Sequence, residues 1–251
     1  MNLRRLSPVL CAFLLVAGVA AADETERVQR TVPLAPGGTL KLNNFSGHVT
    51  ITGTDRAEVA IDAVRRAPRE RLDRIKLDIQ VSGSTVQIEA NKKVSSSWFS
   101  NNVVQTDMEI QVPRHTNLEL HVFSSPVNVT GVEGQHRIHT FSGTARLLDV
   151  VGPVKAETFS GNIELQLTAS STRPDLDLHT FSGDVDVRIP ASVQADVDFD
   201  SFSGNLKSDV PLMLKSKSRR SVHAQLGSGS DTSARNSITV KTFSGSVHIR
   251  S

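Results

Sequence analysis

Residues 138–147 read IHTFSGTARL, and the Phe-Ser-Gly tripeptide at their centre decides the fold because it recurs along the chain. From position 123 onward, successive copies start 18, 18, 22, 21 and 41 residues apart, and the last interval is about two periods. Seven of the nine phenylalanines that follow residue 22 occupy this one repeat position. The copies are Phe45-Ser46-Gly47, a degenerate Phe123-Ser124-Ser125, Phe141-Ser142-Gly143, Phe159-Ser160-Gly161, Phe181-Ser182-Gly183, Phe202-Ser203-Gly204 and Phe243-Ser244-Gly245.

The residues after each copy alternate between polar and apolar. Residues 48–51 (HVTI), 162–165 (NIEL) and 246–249 (SVHI) show this period of two, which is typical of a strand with one buried face. One such unit cannot bury its apolar face alone, so each strand must pair with the next at ~4.8 Å. A period of 18–22 residues fits one solenoid coil, whereas a propeller blade needs about 40–45 residues. The sequence therefore predicts an all-β, single-stranded parallel β-solenoid (β-helix) with about 18–22 residues per coil.

The parity of the apolar positions leaves the direction of the phenylalanines open. Apolar residues stand three positions before each phenylalanine, and four and usually six positions after it. One unbroken strand cannot point all of them inward, so a corner must intervene, and the glycine is its natural place. A break at Ser-Gly turns the phenylalanine outward, and a break just before the phenylalanine turns it inward. We favour the inward direction, because soluble monomers rarely leave a large apolar patch uncovered.

The repeats are regular over residues 111–251 and less regular over residues 23–110. Alternation in the earlier part still predicts strands, and a proline followed by helix-compatible residues predicts one short helix over residues 68–74. The predicted strands lie within residues 31–42, 48–52, 58–64, 75–81, 85–90 and 105–112. We expect one solenoid domain over residues 23–251.

Residues 1–22 have the pattern of a secretory signal peptide. Two arginines precede the apolar run of residues 9–22, which ends in three alanines. This run has 14 residues, fewer than the ~20 that span a bilayer. The only cysteine, Cys11, lies within it, so no disulfide is expected in the mature chain. We expect an exported protein, periplasmic or extracellular, with no transmembrane span after cleavage.

The charge balance excludes a strongly basic nucleic-acid-binding body. The chain has 28 Lys and Arg against 26 Asp and Glu, and loss of the two arginines within residues 1–22 leaves the mature chain neutral. Binding to nucleic acid requires clustered positive charge, so no nucleic-acid partner is predicted. The sequence also lacks a phosphate-binding loop, a dinucleotide fingerprint and a Gly-x-Ser-x-Gly nucleophile motif. No cofactor is predicted.

The repeated Thr-Phe-Ser-Gly units, the strand end at residues 108–113 (MEIQVP) and the closing pattern over residues 227–245 resemble the bacterial "putative adhesin" family. The similarity covers about residues 35–251. The family comprises exported or membrane-attached β-solenoid domains of unknown function. The resemblance implies a solenoid fold and an adhesin-like role, and it brings no catalytic residues. The residue before Ser-Gly is usually aliphatic in that family, and it is phenylalanine here.

A column of polar residues stands two positions before the phenylalanines, and it suggests one candidate metal site. On consecutive coils His139, Glu157 and His179 would stack a few ångströms apart. Two imidazoles and one carboxylate are ligands that zinc or nickel accepts. The alternative is an exposed polar ladder with favourable charge alternation, and we favour it because nothing in the sequence fixes the side-chain directions.

Acidic residues cluster later in the chain and suggest calcium binding or acid–base chemistry. Adjacent coils would bring three acidic runs near one another, residues 175–177, 184–186 (with Asp184 and Asp186) and 196–200 (with Asp198). The glycine–aspartate nonapeptide of calcium-binding solenoids is absent from the sequence. A solvated outer strand face explains the alternation of acids with apolar residues, and we favour it.

Two loops carry candidate contact residues. Trp98 and Phe99 lie in the polar stretch 94–102 (VSSSWFSNN) and are binding-surface candidates, with a hydrophobic plug over one solenoid end as the alternative. Residues 215–220 (KSKSRR) form a basic run that we interpret as a solvated loop rather than an anion-binding patch. Residues 222–226 supply a candidate strand just after it.

Together these features predict an exported, non-enzymatic binding or scaffolding module of the cell envelope. The expected partner is an envelope protein or a glycan, held by ladders of identical side chains through many weak contacts. One alternative is an envelope structural protein that associates through its solenoid ends. A less favoured alternative is a glycan-active β-helix enzyme that uses the acidic clusters.

Overall fold

The computed structural model describes residues 23–93, 103–168, 171, 174–190, 192–227 and 236–251. Within this part the chain forms strands and one short helix, α1 (Arg69–Arg74), so the all-β prediction with one short helix is confirmed. The strands are β1 (Glu24–Pro33), β2 (Thr39–Ser46), β3 (Val49–Thr54), β4 (Glu58–Ala67), β5 (Ile75–Ser82), β6 (Thr85–Lys93), β7 (Gln105–Pro113), β8 (Asn117–Ser124), β9 (Val127–Thr130), β10 (His136–Ser142), β11 (Ala145–Val150), β12 (Val154–Ser160), β13 (Ile163–Leu167), β14 (Asp175–Ser182), β15 (Val185–Arg188), β16 (Ala195–Ser203), β17 (Leu206–Ser208), β18 (Leu212–Lys217), β19 (Ser221–Leu226), β20 (Ser237–Ser244) and β21 (Val247–Arg250).

The strands form two sheets that share one hydrophobic core. The ten-stranded sheet has the order β1-β4-β7-β3-β9-β11-β13-β15-β21-β17, and the eleven-stranded sheet has the order β18-β19-β16-β20-β14-β12-β10-β8-β2-β6-β5. Seven coils each give one strand to each sheet, with a Phe-Ser-Gly or Phe-Ser-Ser segment at the corner between the two strands. Inward side chains from both sheets, mainly Leu, Ile and Val, form a continuous core along the stack.

Each coil runs straight to its Ser-Gly corner, and this fixes the direction of the phenylalanine. In β10 burial alternates without a break: Ile138 and Thr140 are buried, and Phe141 is exposed. The corner follows at Gly143, where φ is +129°, and the next strand again buries alternate residues. The preference for inward phenylalanines is therefore wrong. The break lies at the corner after Ser, so the residue before each phenylalanine, a threonine in four of the seven coils, occupies the inward position instead.

The glycines at the corners are required by the close stacking of successive coils. A Cβ at Gly161 would lie 2.0 Å from the carbonyl oxygen of Gly143, and a Cβ at Gly183 would lie 2.1 Å from that of Gly161. The backbone N–H of Gly161 donates to the Ser182 carbonyl at 3.1 Å, so the corners also hydrogen-bond from coil to coil. At these two positions a larger residue would force neighbouring coils apart, whereas the corner of the degenerate repeat accepts Ser125.

The stack is parallel in its middle and antiparallel at both ends. The seven coils pair in parallel, as β10 does with β8 and β12. At one end β1, β4 and β7 pair antiparallel, as do β5 and β6. At the other end β16, β19 and β18 pair antiparallel. The sheets are thus mixed, and the prediction of a wholly parallel solenoid is too simple. Antiparallel end strands cover sheet edges that would otherwise stay open to pairing.

The order of the coils in space differs from their order in the sequence. The C-terminal coil, β20 and β21, lies between the coil β14–β15 and the coil β16–β17. The chain therefore passes one coil position, builds the next, and returns to fill the gap. The expectation that each coil pairs with its immediate successor is wrong at this point.

The less regular N-terminal part supplies one full coil and the first end of the stack. The strands predicted there are present, although β1 begins at Glu24, seven residues before the predicted start, and the helix predicted over residues 68–74 is α1. Leu72 of this helix packs with Ala67, Ile75 and Val104 in a small separate cluster. In the described chain no helix is long and apolar enough to cross a membrane.

Candidate binding surface

Seven phenylalanines stack in one continuous row on the outside of the eleven-stranded sheet. Neighbouring ring centroids are 4.6–5.0 Å apart, and the ring planes are within 14° of parallel. We call this row the phenylalanine ladder. Its spatial order is Phe45, Phe123, Phe141, Phe159, Phe181, Phe243 and Phe202. Six steps make the ladder roughly 29 Å long, in keeping with the usual spacing of strands.

The rings of the ladder are about half exposed, and their edges face the solvent. Their exposed fractions are 41–54%. Each inner ring has a neighbouring ring on both faces, so only ring edges remain accessible between the two ends. At one end, the guanidinium of Arg220 lies 4.2 Å from the centre of the Phe202 ring, a favourable cation–π distance. The ladder is therefore an apolar strip of ring edges with one capped end.

A groove runs along the ladder, on the side towards the N-terminal ends of the strands that carry the phenylalanines. One wall is the ladder, and the other is the polar column, the residues that stand two positions before each phenylalanine. The groove has a volume of about 1580 Å³. The polar column consists of Asn43, His121, His139, Glu157, His179, Lys241 and Asp200 in spatial order. An elongated partner would thus meet an apolar wall and a polar wall together.

The charges of the polar wall are largely paired within the molecule. His139 Nδ1 lies 3.0 Å from Glu157 Oε2, and Lys155 Nζ lies 3.0 Å from Glu157 Oε1. Partial burial is the largest single influence on the Glu157 carboxyl, and it raises the pKa. The hydrogen bond from Lys155 and the neighbouring imidazoles together outweigh it, so the pKa lies below its usual value. His179 Nε2 lies 2.7 Å from Asp177 Oδ1. The wall is polar, and the Glu157 carboxylate at its middle is paired on both of its oxygens.

The structure brings the metal-site candidates onto adjacent strands. Glu157 is in register with His139 on one side and with His179 on the other, as the stacking of coils predicts. His139 contacts Glu157, whereas His179 contacts Asp177 of its own strand. Across the described residues, no group of three or more His, Cys, Asp or Glu side chains has a geometry that could hold a metal ion. The arrangement is that of a polar ladder.

The acidic residues do not converge on one site. Asp186 pairs with Arg250 at 2.6 Å, and the Asp184 carboxylate accepts a hydrogen bond from the Ser246 backbone at 2.7 Å. Both belong to the ten-stranded sheet side, whereas Asp198 lies on β16 in the eleven-stranded sheet and contacts His223. These carboxylates therefore serve local pairing between neighbouring coils.

The remaining candidates have different outcomes. Trp98 and Phe99, like the predicted signal peptide at residues 1–22, lie outside the described residues. The basic run 215–220 was interpreted as a loop, but its first part belongs to strand β18 and its last residue caps the ladder. The strand predicted at residues 222–226 is present as β19. The role of Arg220 had no signal in the sequence, because the cap depends on the antiparallel return of the chain.

Comparison with known proteins identifies related sequences and folds. A family model described as Toastrack DUF4097 matches residues 116–250, over half of the chain. A solved structure described as a putative cell adhesion protein from Clostridium sporogenes aligns with a TM-score of 0.51 at 10% identity, covering 90% of this chain and 99% of that chain. Structures described as putative adhesins from Bacteroides fragilis and Parabacteroides distasonis align with TM-scores of 0.31 at 12% and 6% identity, each covering 89% of this chain and 97% of that chain. No curated protein matches the sequence.

Proposed function

This chain belongs to the Toastrack DUF4097 family, and on that premise we propose that it is an exported, non-enzymatic, adhesin-like binding module of the cell envelope. Its binding surface is the phenylalanine ladder with the groove beside it. The role extends to this chain the cell-adhesion description of the Clostridium sporogenes protein that shares its fold. Export rests on the signal-peptide pattern of residues 1–22.

The exposed ladder is the observation that carries the proposal. With about 200 Å² for a whole ring, exposed fractions of 41–54% over seven rings give roughly 650 Å² of aromatic surface in one strip. The largest apolar patch on a typical monomer is about 300–600 Å² and is often functional. Solvent exposure of this strip is unfavourable unless a partner covers it, so the ladder is best explained as a contact surface.

The shape of the groove favours an elongated partner. The groove follows all seven coils, and the same side-chain type recurs at each coil. A partner that lies along it makes similar weak contacts at each step, and such contacts sum to a large avidity. A compact small molecule would use only one or two of the seven rings.

The chemistry of the groove favours binding over catalysis. Glu157 is paired with Lys155 and His139, and its lowered pKa keeps it ionised rather than available as a general acid near neutrality. The acidic residues Asp184 and Asp186 lie on the other sheet, away from the groove. A non-enzymatic role accounts for this pairing with no further assumption.

The test compares surfaces coated with bacterial polysaccharides, with peptidoglycan or with the protein itself for retention of beads that carry residues 23–251. The variant Phe141→Ser/Phe159→Ser removes two central rings. The control, Met213→Ser/Leu214→Ser, removes two apolar side chains that are 60% and 61% exposed and lie outside the groove. We expect the wild type and the control to bind at least one surface and the ladder variant to lose most of that binding. Equal retention of the ladder variant and the wild type on every surface would refute the proposal.

A further inference from the structure

The exposed edges of the ladder limit the kinds of partner that fit it. A planar group, or the apolar C–H face of a sugar, packs against the face of an aromatic ring. In the ladder these faces are occupied by neighbouring rings, and Arg220 covers the outer face of Phe202. What the ladder offers along its length is a ridged strip of ring edges that repeats every 4.6–5.0 Å. The matching partner therefore presents apolar ridges at the same interval.

We infer that this partner is a second copy of the chain, which docks ladder against ladder. The inference rests on the proposed function and names its partner. A repeat of about 4.8 Å is the spacing between hydrogen-bonded strands, so another solenoid ladder has the required interval over the whole length. With the two ladders in register, the ring edges of one copy meet the ring edges of the other at every step, as identical side chains meet between paired sheets.

The area of the surface agrees with a dimer interface. The ladder exposes roughly 650 Å², and a standard protein interface buries about 800 Å² on each partner. The exposed parts of the polar column, such as His121 and Lys241, supply the remainder as a rim. A centre of aromatic rings with a polar rim is the usual anatomy of a stable interface.

The electrostatics of the polar column also permit the docking of an identical surface. Burial of an unpaired charge at an interface costs several kcal/mol. Here Glu157 is already paired with His139 and Lys155, and His179 contacts Asp177. Lys241 stands in register with Asp200 on the neighbouring strand. A second copy can therefore approach without leaving the charge of Glu157 unpaired.

Symmetry gives the inference a specific geometric consequence. A two-fold dimer uses the same surface on both copies. Phe159 is the fourth of seven rings, so it lies opposite its own counterpart whether the two solenoids run parallel or antiparallel. Phe141 lies opposite its counterpart only in the parallel dimer, and opposite Phe181 in the antiparallel one.

The first measurement is sedimentation of residues 23–251 over a concentration series. We expect a reversible dimer for the wild type and for Met213→Ser/Leu214→Ser. Phe141→Ser/Phe159→Ser is expected to raise the dimer dissociation constant at least about tenfold, with an unchanged far-ultraviolet circular dichroism spectrum that shows it is folded. A wild type that stays monomeric at every concentration, or a ladder variant that associates as the wild type does, overturns the inference.

Cross-linking then locates the contact. The chain beyond residue 22 has no cysteine, so one introduced cysteine reports on one position. Sheets pack about 10 Å apart, so a bis-maleimide linker of about that length is used. Phe159→Cys is expected to give a cross-linked dimer, and Met213→Cys to stay largely monomeric. The reverse pattern would place the contact at the solenoid end and overturn the inference. If the protein is monomeric yet loses polysaccharide binding in the ladder variant, the second copy is excluded and the proposed function stands.

Discussion

Protonation of His136 should destabilise the fold in mild acid. This side chain is 1% exposed and lies in the core column that carries Leu118 in β8 and Val154 in β12. Its Nε2 lies 3.3 Å from the Val151 carbonyl, whereas its Nδ1 has no hydrogen-bond partner in the described part of the chain. Burial lowers the pKa of His136 from 6.5 to about 4.

The size of the effect follows from this shift. In the unfolded chain the imidazole binds a proton near pH 6.5, while in the folded chain it resists protonation down to about pH 4. The stability that the neutral His136 gives the fold is therefore present above pH 6.5 and is lost as the pH falls from 6.5 towards about 4. At 1.36 kcal/mol per pKa unit, folding loses roughly 2.5 kcal/mol from this group between pH 7.5 and pH 4.5.

The variant His136→Leu isolates the effect, because leucine already occupies this column at position 118. We expect the wild type to lose roughly 2.5 kcal/mol more than the variant between pH 7.5 and pH 4.5, measured by urea unfolding with circular dichroism. The control is His48→Leu, at a side chain that is 68% exposed, and it should follow the wild type closely. If the wild type and His136→Leu lose stability in parallel, the reasoning from burial is refuted.

Three further predictions, two of them with a control substitution, test the packing of the coils by the same unfolding assay. Gly161→Ala should destabilise the fold by about 3 kcal/mol or more, since its Cβ would lie 2.0 Å from a backbone oxygen. The control Gly83→Ala, with open space around it and a φ of +56°, should cost about 1 kcal/mol. Similar losses of stability in the two variants would contradict the close stacking of the corners. Thr158→Val removes a buried hydroxyl that has no partner among the described residues and should stabilise the fold by about 1 kcal/mol; a loss of stability would mean that the hydroxyl is hydrogen-bonded. Phe159→Ala should lower the free energy of unfolding by roughly 2.5 kcal/mol, because 48% of the side chain is already exposed. The control Phe199→Ala, in the core, should lower it by about 4 kcal/mol. Equal losses would argue that the ladder is part of the core.

Much of the fold could be predicted because its local rules are strict. Alternation at segments such as residues 162–165 specifies which face of a strand is buried, and β13 follows it residue by residue. In six of the seven repeats a glycine marks the corner, because the neighbouring coil leaves no room for a Cβ there. These signals are local in sequence, so they predict strands and the seven coils without knowledge of the tertiary structure.

The order of the coils and their ends could not be predicted for a physical reason. The repeats are nearly identical, so β20 is as compatible with β16 as with β14, and in the structure it pairs with both. Which coil fills which place depends on the long connection through β18 and β19, whose sequence lacks the repeat. The antiparallel ends depend in the same way on contacts between distant segments. Sequence periodicity carries no information on such choices.

The prediction that the phenylalanines point inward is wrong, because it rests on a rule for isolated monomers, which rarely expose a large apolar patch. Only one phenylalanine of the described chain, Phe199, lies in the core at 4% exposure, while seven stand outside in register. A solvated strand face is normally polar, and stability alone would be served by threonine or valine at these positions. Seven apolar rings in one exposed row therefore conflict with a monomer that meets only water. The conflict disappears if the row is covered, and a second ladder of the same spacing covers it along its full length.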